Sequence, residues 1–407
     1  MKCKLGDICL KIGSGATPRG GKEAYCTEGI SLIRSQNVLD FSFSMGGLAY
    51  INDIQARQLD GVTVNSNDVL LNITGDSVAR ACIVPTNILP ARVNQHVAII
   101  RPDDKKADGK YILYFLQSIK PLLLQISSSG GTRNALTKSM IEALEINLPS
   151  ISEQKAVADT LSCLDDKIEL NNSMNRTLEE MAQAIFKSWF VDFEPFQDGE
   201  FVDSELGPIP KGWRVGTLGE IAEISTKSIN PSKTPETLFE HYSIPSYDEA
   251  SFPVFEKGNN IKSNKYLIPC DAWLISKLNP TTKRVWQPFM LSKNAICSTE
   301  FIVYSASKLR YRDFCFESTN SANFFDFLCS NTSGSTNSRQ RAIPKETLKY
   351  QLVIPTENIM KAFSQLVDPI YEEMKNNLVE CQRLISLRNS LLPKLMNGEI
   401  RVPIEVK

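Results

Sequence analysis

The chain has 407 residues, 42% hydrophobic and 22% charged, the balance of a folded globular protein too long for one ordinary core. Its formal net charge of −1 neither suggests nor excludes nucleic acid, because a basic face can be balanced by acidic residues elsewhere. The ten cysteines form no C-x-x-C pair and only His96 and His241 exist, which argues against zinc sites, a disulfide framework and a histidine-based triad.

In chain order, the start "MKCKLGDICLKIGSG" has no apolar core ahead of a cleavage site. No run of eighteen apolar residues occurs, so the expected location is the cytoplasm, with no membrane partner. "DVLLNIT" (68–74) and "HVAIIRP" (96–102) are short β-branched runs bounded by turn residues, which predicts strands. "DGKYILYFLQSI" (108–119) predicts a short amphipathic helix. After Pro149, Ser150 and Glu153 form a capping box that opens a long helix. Its seam, Val157, Leu161, Leu164, Ile168, Asn171, Asn175, Leu178, Ala182, Ile185 and Trp189, has the 3.5-residue period of a coiled coil. Pro195 is the expected stop. The cluster Phe186, Trp189, Phe190, Phe193 and Phe196 is read as a plug into the following domain, with a contact to a partner protein as the alternative. "AWLISKL" (272–278) and "EFIVYSA" (300–306) predict strands, and "SANFFDFLCSN" (321–331) a helix. A second seam runs Phe363, Val367, Ile370, Met374, Asn377, Cys381, Leu384, Arg388, Leu391 and Leu395, with Pro393 and then Asn397-Gly398 ending it.

The chain repeats itself. "KLGDICLKIGSG" (4–15) is echoed by "TLGEIAEISTKS" (217–228), "NDVLLNITGDS" (67–77) by "CDAWLISKLNP" (270–280), and "ALTKSMIEALEINLP" (135–149) by "AIPKETLKYQLVIP" (342–355). Val157, Leu161, Leu164 and Ile168 match Phe363, Val367, Ile370 and Met374, each 206 residues on. That period is too long for a solenoid and marks a duplicated domain-plus-helix unit. Each rod is roughly 60 Å long at 1.5 Å per residue. Asn171 and Asn377 stand mid-seam, where a polar residue fixes register and partner at some cost in stability. A helix lying on a domain, with these Asn residues at its wet edge, is the other reading. The expected fold is α+β: two α/β domains in a pseudo-two-fold arrangement, joined by two long antiparallel coiled-coil helices. Such a molecule suits paired sites about one DNA turn apart, ~34 Å.

"LPSISEQKAVADTLSCLDDKIELNNSMNRTLEEMAQAIFKSWFVDFEPF" (148–196) resembles the central region of specificity subunits of type I restriction-modification enzymes. "ATPRGGKEAYCTEGISLIRSQNV" (16–38), "VLLNITGDSVARACIVP" (69–85), "ARVNQHVAIIRPD" (91–103) and "SSGGTRNALTKSMIEALEINLP" (128–149) resemble an N-terminal target recognition domain of that family. "ELGPIPKGWRVGTLGEIAEI" (205–224) resembles the lead-in to a second one. The resemblance implies recognition domains at 1–150 and 196–355 and conserved helices at 151–195 and 356–396. It implies a non-catalytic subunit whose two domains each read half of a split site in double-stranded DNA, while the helices set the spacer. Two modification subunits, methylating adenine with S-adenosylmethionine, would dock on the helices, and restriction subunits using ATP and Mg²⁺ would join them. No cofactor is expected in this chain.

Candidate DNA contacts follow. "ATPRGGKE" (16–23) approaches a phosphate-binding loop, but Glu23 stands where Ser or Thr would hold Mg²⁺ and Pro18 lacks an N–H. A glycine-rich loop along a DNA backbone fits better, with Arg19 and Lys22 on phosphates. Arg34, Gln36 and Asn37, and likewise Arg92, Asn94 and Gln95, have the side chains that read guanine or adenine edges; capping a polar turn is the alternative for each. Asn72, Thr74 and Arg80 border a turn, and Arg133 and Asn134 follow the flexible "SSSGG". Lys277, Lys283, Arg284, Arg339 and Arg341 are the basic candidates of the second domain. A fused methyltransferase or nuclease is the rival reading, but no N-P-P-Y or D-P-P-Y motif supports it. A scaffold without base readout is the third.

Overall fold

The computed structural model describes residues 2–18, 20–128, 134–334 and 340–403. Contacts divide the chain into two units, Met1–Leu170 with Glu380–Lys407, and Asn171–Val379. The division falls within both long helices rather than at their ends.

In the first unit a four-stranded antiparallel sheet runs Cys9–Ser14, Val97–Pro102, Val69–Asn72, Ala81–Ile83 in spatial order. Val69, Leu71, Ala98 and Ile100 face one core, shared with the helix Gly109–Ser118. Leu70, Val97 and Ile99 face a second core under another four-stranded sheet, ordered Ala49–Ile51, Ile30–Ile33, Ala91–Val93, Thr63–Val64. Burial on both faces explains why these strands read as continuous apolar runs rather than alternating ones.

The second unit repeats the plan. One sheet runs Ala222–Ser225, Phe301–Ala306, Ala272–Ser276, Val285–Trp286; the other runs Ser228–Ile229, Lys265–Leu267, Ala295–Ser298, Leu238–Tyr242, Val254–Lys257. Among the described residues each unit contains one parallel pairing in its second sheet, Ile30–Ile33 with Ala91–Val93 and Leu238–Tyr242 with Ala295–Ser298. The sequence echo pairs Asn67 with Cys270, but the hydrogen-bonded register is one residue different. Val69 opposes Ile100 where Trp273 opposes Tyr304, an offset of 204. Strands buried on both faces carry no alternation to pin register, so sequence matching slips by one.

The long helices are Ile151–Phe190 and Glu357–Met396, 40 residues each. The Ser150 amide donates to Glu153 Oε2 (2.9 Å) and the Glu153 amide to Ser150 Oγ (3.3 Å), closing the capping box. The first helix stops before Pro195: Phe193 adopts the left-handed region (φ 54°) and redirects the chain. Pro393 lies inside the last turn of the second helix, and the end comes at Gly398 (φ 79°). Within the first unit Asp165 meets Arg388 (2.5 Å) and Lys167 meets Glu380 (3.3 Å). Within the second, Asn175 Nδ2 donates to Met374 O (3.0 Å), Asn377 Nδ2 to Asn175 Oδ1 (2.9 Å) and Asn171 Nδ2 to Asn377 O (3.5 Å). Numbers rise on one helix as they fall on the other, so the pair is antiparallel in each unit. Phe190 is buried in the second unit's core against Trp213, Phe314 and Phe363, and Phe186, Trp189, Phe193 and Phe196 pack on that core. The fold is α+β, two α/β units with two long antiparallel helices.

Candidate nucleic-acid interface

Four backbone segments of the first unit are tied together at the end of its central strands. Gly15 makes the first approach possible. A Cβ there would lie 2.0 Å from Val93 O and 2.4 Å from Asn94 O, so only glycine passes this close. The Gly15 amide donates to Val97 O (2.9 Å) and the Ala16 amide to Val93 O (3.0 Å). Ile73 N donates to His96 O (3.0 Å), Leu136 N to Ile73 O (2.8 Å) and Gly75 N to Asn134 O (3.3 Å). Gly75 turns the loop with φ 76°, and Asn72 N to Arg80 O (2.8 Å) closes it.

Side chains continue this knot. Thr17 Oγ1 donates to Gln95 Oε1 (2.6 Å), Gln95 Nε2 lies 3.3 Å from His96 Nε2, and His96 Nδ1 lies 2.7 Å from Thr74 Oγ1. An amide nitrogen only donates, so His96 Nε2 accepts and Nδ1 carries the proton toward Thr74.

The second unit repeats four of these backbone bonds. Lys277 N donates to Glu300 O (2.9 Å), Ala342 N to Lys277 O (2.9 Å), Asn279 N to Gln340 O (3.0 Å) and Ser276 N to Arg284 O (3.0 Å). Asn279 (φ 49°) turns where Gly75 does. Each bond repeats one of the first unit at an offset of 204 or 206 residues, yet the side chains differ. Glu300 replaces His96 and Arg341 replaces Ala135, and these two form a bidentate pair (3.0 and 3.2 Å). Glu300 raises the guanidinium pKa of Arg341.

The sequence candidates separate by environment. Arg34, Gln36, Thr74, Arg80, Gln95, Asn134, Lys277, Lys283 and Arg341 are half-buried or exposed. Arg34 donates to Gly47 O and lies 5.4 Å over the Tyr25 ring; Gln36 reaches Gly47 O at 3.2 Å. Lys283 Nζ donates to Asn320 O (2.6 Å), and burial pushes its pKa down. Asn37, Asn72, Arg92 and Asn94 are buried and used by the fold. Asn37 Nδ2 holds Ser44 O (3.0 Å), Asn72 Nδ2 holds Ser35 O (2.9 Å), Arg92 pairs with Asp60 (2.7 Å) and Asn94 Oδ1 caps His96 N (3.1 Å). Arg284 is turned inward onto Asp248 by two bonds (2.6 and 2.9 Å). Asn171 and Asn377 meet in the helix seam, at 0% and 5% exposure. Arg19, the Lys22 side chain, Arg133 and Arg339 lie outside the described residues. Thr17, His96 and Glu300 carry no local signal in the sequence, because the partners that define them lie 22 to 78 residues away or, for Glu300, 41.

Among the described residues no group of three or more His, Cys, Asp or Glu is placed to hold a metal, and no helix is long and apolar enough to cross a membrane. Residues 1–180 match the family described as "Type I restriction modification DNA specificity domain". The type I restriction enzyme MjaIX specificity subunit of Methanocaldococcus jannaschii is 28% identical over 347 residues, 77% of this chain and 74% of that one. The HindI specificity subunit of Haemophilus influenzae is 23% identical over 468 residues, covering 97% and 98% of the two chains. A solved S subunit of a type I restriction-modification system from M. genitalium shares the fold, with a TM-score of 0.56, 16% identity and coverage of 97% and 96%. Residues 1–180 carry the DNA specificity domain of type I restriction-modification systems, and the chain as a whole is similar to the specificity subunits of type I restriction enzymes, which recognise DNA sequence and are non-catalytic.

Proposed function

We propose that each unit reads one half of a split double-stranded DNA target through its loop knot, and that the paired helices set the unread spacer. One observation carries this reading: four backbone hydrogen bonds of the knot recur 204 to 206 residues on with different side chains. One scaffold presenting two codes is what an asymmetric, bipartite target requires. Arg19 and Lys22 are assigned to phosphates, Arg133 and Arg339 to phosphate or base contacts, and the exposed polar side chains of the knots to bases. In the second unit the first long helix exposes Met174 and Met181 (37% and 47%), apolar positions suited to docking a modification subunit. S-adenosylmethionine, ATP and Mg²⁺ belong to modification and restriction subunits, and the assembly works in the cytoplasm.

The test exchanges residues 1–149 for those of a relative and maps methylated adenines with modification subunits present. One half of the target is expected to change. Recognition changing in both halves contradicts independent readers.

A further inference from the structure

We infer that Gln95 reads an adenine in the half-site of the first unit, and that Thr17 and His96 are positioning residues that hold its amide in one plane. This rests on the proposed function. Gln95 is exposed at the turn between Ala91–Val93 and Val97–Pro102. A free glutamine on a DNA-facing turn rotates among rotamers and flips its amide, which costs entropy and blurs readout. Here the amide is held from behind at both ends: Thr17 Oγ1 donates to Oε1 (2.6 Å) and His96 Nε2 accepts from Nε2 (3.3 Å). His96 is itself anchored on Thr74 (2.7 Å) and through its backbone amide on buried Asn94 (3.1 Å).

The bracing uses half of the amide's capacity. Among the described residues, the second N–H of Nε2 and the second lone pair of Oε1 have no partner. One donor beside one acceptor, in one plane, matches the N7 acceptor and N6–H donor of adenine in the major groove. Guanine presents two acceptors there, and cytosine a donor alone, so neither satisfies both ends. The equivalent position in the second unit, Glu300 in place of His96, is occupied by an ion pair with Arg341, so this reader belongs to the first half-site only.

The experiment selects sites from a randomised duplex library with the full chain and its modification subunits. Gln95→Glu removes the donor and leaves acceptors, so preference at one base pair of the first half-site is expected to move from adenine to cytosine. Thr17→Val keeps shape and removes one brace, and is expected to lower adenine preference at that same pair. Gln95→Ala is expected to lower it by roughly 5- to 150-fold. The other positions and the second half-site are expected to stay as they were, which a merely structural role would not produce. Unchanged adenine preference in Gln95→Glu, or equal weakening at every position in variants that melt like wild type, overturns the inference while leaving the proposed function standing. A wild-type chain that selects no split target overturns both.

Discussion

Arg388 occupies a seam position of the second long helix, yet is only 8% exposed. Within the first unit its guanidinium meets Asp165 (2.5 Å) and lies 3.7 Å over the Phe41 ring, while Tyr114 donates to the second oxygen of Asp165 (2.5 Å). Burial, then Asp165, raise the Tyr114 pKa, so this hydroxyl stays a donor. Arg388→Ala strands a half-buried carboxylate and is expected to cost roughly 3 kcal/mol in thermal or urea unfolding. Arg388→Met with Asp165→Leu and Tyr114→Phe, which also removes the hydroxyl that donates to Asp165, is expected to recover most of that loss, because the pair mainly offsets its own desolvation. Glu317 of the second unit carries a different signature. Burial pushes its pKa up to about 7, opposed by the Tyr371 hydroxyl at 2.6 Å and by Asn320, with Glu179 and Lys283 as the nearby charges. The folded state keeps this proton to near pH 7, whereas the unfolded chain releases it near the ordinary glutamate value of 4.5. Its contribution to stability is therefore full below pH 4.5 and lost as pH rises through 7. Glu317→Gln is expected to melt with wild type at pH 4.5 and to be more stable at pH 8, by roughly 3 kcal/mol. Equal melting at both pH values contradicts the assignment. Single residues were the least legible scale. Asn37, Asn72, Arg92 and Asn94 have the chemistry that reads bases, and that same chemistry here pairs with carbonyls, a carboxylate and an amide of the fold. Nothing local distinguishes the two uses.

The helices were the most legible elements, because a 3.5-residue seam over 40 residues is a long, redundant signal. Their ends were less so. Pro195 and Pro393 look like stops, but a left-handed Phe193 ends one helix earlier, and the other absorbs its proline in the last turn. The aromatic cluster reads as a junction in sequence because a polar rod meets five large rings within eleven residues. In the second unit Phe190 contacts Phe186, Trp189, Trp213, Phe314 and Phe363 at ring-centroid distances of 4.9–6.1 Å. Phe190→Ala is expected to cost roughly 3–5 kcal/mol in urea unfolding, since five rings cannot collapse fully into the cavity. A loss below about 1 kcal/mol contradicts a core role. The strands were legible as elements but not in register: runs such as "DVLLN" bury both faces, so the repeat aligned one residue away from the hydrogen-bonded pairing.

For the whole molecule, duplication was visible in sequence, and it supports the proposed pair of readers on one chain. The knots were not visible, because each joins segments far apart in sequence, such as Thr17 with Gln95 and Ile73 with Leu136. The central claim is that the helices measure the spacer between the half-sites. The division between units crosses them at Leu170/Asn171 and Val379/Glu380, so seven residues inserted at both points leave each unit's own contacts in place. A heptad keeps the seam in phase and lengthens each helix by roughly 10 Å. B-DNA rises 3.4 Å per base pair, so the preferred spacer should grow by about three base pairs. The half-sites rotate around the duplex as they separate, so weaker binding is expected as well. The measurement is methylation of a DNA library with fixed half-sites and variable spacers, by the modification complex carrying the lengthened chain. A spacer about three base pairs longer with unchanged half-sites is the expected result; a folded variant that keeps the original spacer contradicts the account.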